Sequence, residues 1–134
     1  MWYVLHAITF RPFTTNYNYQ LNTYIMAISQ MNHVNLIGQM SSDPKFVYLP
    51  NGKRVAKFSL STRETYLDDE GNTKNVNNWH RITAWGKWVS VLEQLGRKGQ
   101  ALAIEGKLRS RFFNDQKGGK KAITEVEIND LVIL

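Results

Sequence analysis

Residues 31–134 of this chain predict a single all-β domain, on three observations. Apolar and polar side chains alternate with a period of two through most of the stretch, as in strands with one face on a core. Turns bearing glycine, asparagine or proline separate the alternating runs. A single segment, near residue 90, changes to a helical period. At 134 residues, with 43% hydrophobic and 21% charged side chains, the chain can bury one proper core and is short for two.

"HVNLIGQM" reads as the first strand, and the Ser-Asp-Pro chemistry of "SSDP" turns the chain after it. "KFVYLPNGKRVAKFSLSTRE" reads as a strand, a "PNG" turn and a second strand. In that second strand Ala56, Phe58, Leu60 and Thr62 form a core face, opposite Val55, Lys57, Ser59, Ser61 and Arg63. The polar run "YLDDEGNTKNVNN" is expected to be a long loop, followed by a strand over residues 78–86. In "KWVSVLEQLGRKG" the residues Trp88, Val91, Leu92 and Leu95 share a helical stripe, and Gly96 and Gly99 are the expected stops. "ALAIEGKLRSRFF" returns to period two. Leu102, Ile104, Leu108 and Phe112 are its apolar face, and Lys107, Arg109, Arg111 and Phe113 lie opposite. "NDQKGGKK" is a tight basic loop before the last strand, "AITEVEINDLVIL". Five main strands with one short helix between the third and fourth match the OB-fold, a five-stranded Greek-key barrel.

The first 30 residues contain no acid and one base, Arg11, and have neither the charged start nor the compact apolar run of a secretory signal. Either the natural start is Met26 or Met31, or residues 1–30 are a disordered extension outside the fold. No apolar run is long enough to span a bilayer as a helix. The chain has no cysteine, which excludes disulfides and thiolate metal sites and fits a reducing cytosol. A formal charge of +6 and a pI near 9.7 favour an anionic partner.

Residues 77–88, "NNWHRITAWGKW", hold three of the four tryptophans. On a strand, Trp79, Arg81, Thr83 and Trp85 share one face, with His80, Ile82 and Ala84 on the other. Lys107, Arg109, Arg111 and Phe113 repeat the combination of bases and an aromatic. A ring closing one end of a barrel would explain either case singly. Two strands with bases beside rings instead suit single-stranded nucleic acid, whose bases stack on aromatic faces while cations track the phosphates. Trp88 lies on the helical stripe and is expected in the core. Tyr66 shares the parity of Phe58 and Leu60, so a bulge or strong twist would be needed to bring it to the basic face. His80 faces away from the basic side and reads as a core or interface histidine. His6 and His33 have no carboxylate pattern near them, so no metal or nucleophilic cluster assembles. "DDEG" lacks the alternating ligands of a calcium loop. No Walker sequence is present. Neither catalysis nor a cofactor is expected.

"DPKFVYLPNGKRVAKFSLSTRETY", "NNWHRITAWGK", "RKGQALAIEGKLRSRFF" and "TEVEIND" resemble, in order and spacing, bacterial single-stranded DNA-binding proteins over residues 31–134. The resemblance implies a homotetramer that coats single-stranded DNA in the cytoplasm, associated with the nucleoid, during replication, recombination and repair. It carries base stacking onto Tyr66, Trp79, Trp85 and Phe113. It carries backbone contacts onto Arg81, Lys87, Lys98, Arg109 and Arg111, and a subunit-interface role onto His80. Typical members continue through a polar linker into an acidic tail that recruits other enzymes. This sequence stops at "NDLVIL", so it resembles a short form in which such recruitment is doubtful; either a tail was removed or the chain is a short paralogue. An OB-fold that binds RNA, or a primosome accessory protein, is the alternative reading.

Overall fold

The computed structural model describes residues 31–134, so the expectations for residues 1–30 lie outside it. Six strands and one helix follow in the order β1 (Val34–Met40), β2 (Lys45–Tyr48), β3 (Arg54–Leu67), β4 (Thr73–Trp85), α1 (Lys87–Leu95), β5 (Ala101–Asn114) and β6 (Lys120–Ile133). The hydrogen-bonded order is β1-β5-β6-β4-β3-β2, and β1 also pairs with β3. That extra pairing closes a five-strand ring, with the four-residue β2 attached outside it on β3. Counting the ring strands alone in chain order (β1, β3, β4, β5, β6), α1 lies between the third and fourth, as the OB-fold predicts.

Ring closure depends on Gly38. A Cβ there would lie 2.2 Å from the carbonyl oxygen of Ser61, where β1 passes from pairing with β5 to pairing with β3. Gly106 has the same function between β5 and β6, because its Cβ would meet the carbonyl oxygen of Glu127 at 2.3 Å. Inside the ring, Met40, Leu60, Ile82, Leu92 and Leu102 are fully buried. Burial of such side chains contributes about 1.5–3 kcal/mol each, and they come from β1, β3, β4, α1 and β5. One core therefore ties the whole domain together. Helix α1 plugs the barrel with Val89 and Leu92, and Gly96 ends it by donating its N–H to the Leu92 carbonyl at 2.9 Å. Arg54 anchors its outer side, donating to both Glu93 carboxylate oxygens and to Ser90 Oγ.

Several expectations need correction. Residues 66–78 are not a long loop. β3 and β4 pair in unbroken register from Val55↔Trp85 to Leu67↔Thr73, and the turn itself is residues 68–72. Asp68 builds that turn by accepting the N–H groups of Glu70 and Asn72 on one carboxylate oxygen, while Gly71 turns at φ +81°. Asp115 and Gly118 build the β5–β6 turn the same way. Both hairpins extend past the core as two-stranded ribbons. For that reason Leu108 and Phe112, which belong to the apolar face of β5, end up exposed beyond the barrel. Val55, expected on the polar face, is buried instead. It pairs with Trp85 where β3 enters the barrel. On α1, Val89 is buried off the expected stripe, Leu95 is exposed, and Trp88 packs half-buried against the core.

Candidate nucleic-acid interface

Four neighbouring strands, β5, β6, β4 and β3, present one continuous outer face. Its register follows from the pairings Arg109↔Glu125, Lys107↔Glu127, Thr83↔Glu127 and Lys57↔Thr83. Trp79 and Arg81 are exposed on β4, and Trp85 is 37% exposed at the end of the strand. Thr83, between Arg81 and Trp85, is buried beneath Glu125 and donates its hydroxyl to that carboxylate at 3.0 Å. Phe113, 43% exposed, ends the row on β5 opposite Lys121. At the other side Trp85 and Lys87 line an open groove with Leu49, Arg54, Ser90 and Glu127. Two exposed indoles cost solvation that a core-only role would avoid, and the intervening Arg81 and Thr83 hold them apart along the strand. Such a surface can stack flat rings and neutralise phosphates at the same time.

The structure brings together most of the residues singled out from sequence. Trp79, Arg81 and Trp85 share one face of β4, continuous with Arg109, Arg111 and Phe113 on β5. Lys87 stands at the groove beside Trp85, with its ammonium 4.7 Å from the centre of the Trp88 ring. Lys98 lies apart from the strand rows, in the turn before β5, where its backbone N–H donates to Asp43 at 2.8 Å. Tyr66 is half-exposed near the tip of the β3–β4 ribbon, opposite Lys74. No bulge moves it, and it keeps the parity of Phe58, so any approach to the Trp79 row depends on the coiling of the ribbon. His80 sits on the other side of β4 from Trp79, its Nε2 2.9 Å from the Thr62 hydroxyl.

Glu125 and Glu127 lie on the same outer face, and sequence reasoning passed over them. Arg111 Nη2 donates to Glu125 Oε1 at 2.9 Å, and Lys57 Nζ is 3.9 Å from the same atom. Arg109 Nε donates to Glu127 at 3.3 Å, and Lys107 Nζ is 3.5 Å from its other oxygen. Burial pushes the Glu125 carboxyl up. The hydrogen bonds from Thr83 and Arg111 and the charges of Lys57 and Arg111 outweigh it, and the net shift is downward. The signal was the odd numbering of both glutamates, which alternate with apolar Val126 and Ile128 and so have the outward parity of a core strand. A second omission is a carboxylate for His33: its Nε2 lies 3.1 Å from Glu105, a residue remote in sequence.

Residues 31–134 match the family model described as the single-strand binding protein family. The chain belongs to that family. A curated relative, single-stranded DNA-binding protein 1 of Chlorobaculum tepidum, is 39% identical over 105 residues, which cover 78% of this chain and 65% of the relative. The chain therefore spans somewhat less than two thirds of that family member. Among solved structures, a Plasmodium falciparum SSB in complex with ssDNA superposes with a TM-score of 0.74 and 31% identity, over 78% of this chain and 96% of that one. A deletion mutant of the single-stranded DNA-binding protein from Thermus aquaticus gives 0.70 and 28%, over 78% of this chain and 50% of that one. Both family structures share the barrel described above.

Proposed function

We propose that this chain binds and coats single-stranded DNA with little sequence preference, protecting it during replication, recombination and repair. The observation that carries the reading is the β4 row, in which exposed Trp79 and Trp85 flank Arg81, on the same outer face as the basic row of β5 and separated from it by β6 alone. Stacking on such rings contributes about 1–3 kcal/mol per base and tolerates any base, because every base has a π-face. The cations supply the part of the affinity that salt weakens. Tyr66 and Phe113 extend the path of the strand over the ribbons and Lys87 extends it over the groove, while Lys98 offers a separate phosphate contact in the turn before β5. Membership of a family whose relatives are named for single-stranded DNA binding supports the same reading.

The protein works as a homotetramer. Ile37 and Val132 are exposed on the outer side of β1 and β6, where they line a shallow groove with Asn35, Leu36 and Leu131. An apolar strip of that kind suits contact with a second copy, and His80 would stand at a further subunit contact. The chain acts by binding rather than catalysis and works in the cytoplasm, on the nucleoid; no helix among the described residues is long and apolar enough to cross a membrane.

Fluorescence anisotropy with labelled oligo-dT, an equal-length duplex and an equal-length RNA tests the reading. Tight binding of the DNA single strand, weak binding of duplex, and a steep fall with salt are expected. Equal or tighter binding of RNA would replace DNA by RNA as the ligand, and preference for duplex would overturn the stacking account.

A further inference from the structure

Four cations of the proposed DNA face are already occupied. Glu125 holds Arg111 and Lys57, and Glu127 holds Arg109 and Lys107, with contacts from 2.9 to 3.9 Å. The two carboxylates alternate along β6, the strand between the basic row of β5 and the tryptophan row of β4. They are held there. The Glu125 side chain is only 12% exposed and accepts the Thr83 hydroxyl as well as Arg111, while Glu127 is 28% exposed and lines the groove beside Trp85. Arg81, between the two indoles, has no acidic partner among the described residues.

A phosphate that reaches Arg109 or Arg111 meets a carboxylate already within hydrogen-bond distance of the same guanidinium. The two anions repel at close range, where solvent screens them incompletely. Either the carboxylate gives up part of its hold or the phosphate accepts the guanidinium from its remaining side. Both routes weaken the contact relative to a free cation. Glu125 remains ionised at neutral pH, because its carboxyl is held below the usual range.

Resting on the reading above, we propose that Glu125 and Glu127 are built-in counterions that compete with the DNA phosphates for Lys57, Lys107, Arg109 and Arg111, and so keep strand affinity below what those cations alone would give. Such competition favours release and redistribution of the strand, and it leaves first engagement of phosphate to the cations that hold no carboxylate among the described residues, Arg81 between the indoles, Lys87 beside Trp85 and Arg63 beside Trp79. Glutamates that pre-orient the cations for phosphate would instead raise affinity. The sign of a single substitution separates the two.

The test is titration of fluorescently labelled oligo-dT with the full chain, wild type against Glu127→Gln, at several salt concentrations. Glutamine keeps the size and a hydrogen-bonding oxygen while removing the charge. At low salt the variant should bind about three- to tenfold more tightly. Its log-affinity against log-salt slope should be steeper by about 0.7, one additional uncompensated cation on a single strand. Glu125→Gln, which can still accept from Thr83, should shift both quantities in the same direction. Unchanged or weaker binding by Glu127→Gln overturns the proposal while leaving DNA binding intact. Absence of binding by the wild type overturns the reading on which it rests.

Discussion

Replacing Gly38 by alanine should lower the stability of the barrel even though alanine is the better residue for an ordinary strand. The new Cβ would lie 2.2 Å from the Ser61 carbonyl oxygen and 3.0 Å from its carbon. An ordinary contact needs about 1 Å more, since such distances fall far inside van der Waals separation. Two relaxations are available. β1 can draw away from β3, which stretches the closing ladder at Gln39↔Ser61 and Met40↔Leu60 and the neighbouring bond from Ser41 N–H to the Ser59 carbonyl, now 2.7 Å. Losing about two such bonds costs roughly 1–3 kcal/mol. Alternatively the strands stay and the backbone strains, at a similar roughly 1–3 kcal/mol for overpacking. Reduced freedom of the unfolded chain returns about 0.4–1 kcal/mol. The net loss is about 1–2 kcal/mol, and a domain of this size changes its Tm by about 4–8 °C per kcal/mol. Thermal unfolding followed by far-ultraviolet circular dichroism should therefore show the Gly38→Ala midpoint about 5–15 °C below wild type. An unchanged or higher midpoint would refute the argument, because the unfolded-state term alone predicts a rise.

Three further outcomes follow from the packing and charges. Leu92→Ala, at the fully buried contact of α1 with the barrel, should lower unfolding free energy by about 2–5 kcal/mol in a urea titration. The folded-state pKa of Glu125 is depressed, so its contribution to stability is present above the unfolded carboxyl pKa and is lost as pH falls through the folded value. Melting temperatures measured from pH 7 down to pH 3 should therefore fall less steeply for Glu125→Gln than for wild type. Arg81→Ala should weaken oligo-dT binding and flatten the salt slope by about 0.7, with little change in melting temperature because the side chain is exposed.

Period two and turn chemistry carried most of the fold. Leu60, Ile82, Leu102 and Ile104 face inward as the alternation requires, and the helical stripe placed α1. The ribbon halves of β3 and β4 were hidden because alternation records a core, and residues 64–77 have none beneath either face. Asn75, Asn77 and Thr65 carry no apolar rhythm, and their strand is held by cross-strand contacts such as the Thr65 hydroxyl donating to Asn75 at 2.8 Å. The same absence of a core explains why Leu108 and Phe112 kept the right parity but not the expected burial. Within the candidate site, the rings and bases were legible because both lie on single strands. The Arg111–Glu125 and Arg109–Glu127 pairs were not, since they depend on the register between β5 and β6. The His33–Glu105 pair depends likewise on the fit of β1 against β5, whose ladder is extended by a paired amide contact between Asn32 and Leu108.

The central claim is that bases stack on the exposed indoles of β4, and intrinsic tryptophan fluorescence during titration with oligo-dT tests it most directly. The account predicts strong quenching in the wild type, little quenching by duplex, and loss of a large part of the signal in Trp79→Phe. A folded protein that binds oligo-dT with no quenching, or with quenching unaffected by Trp79→Phe, would contradict it.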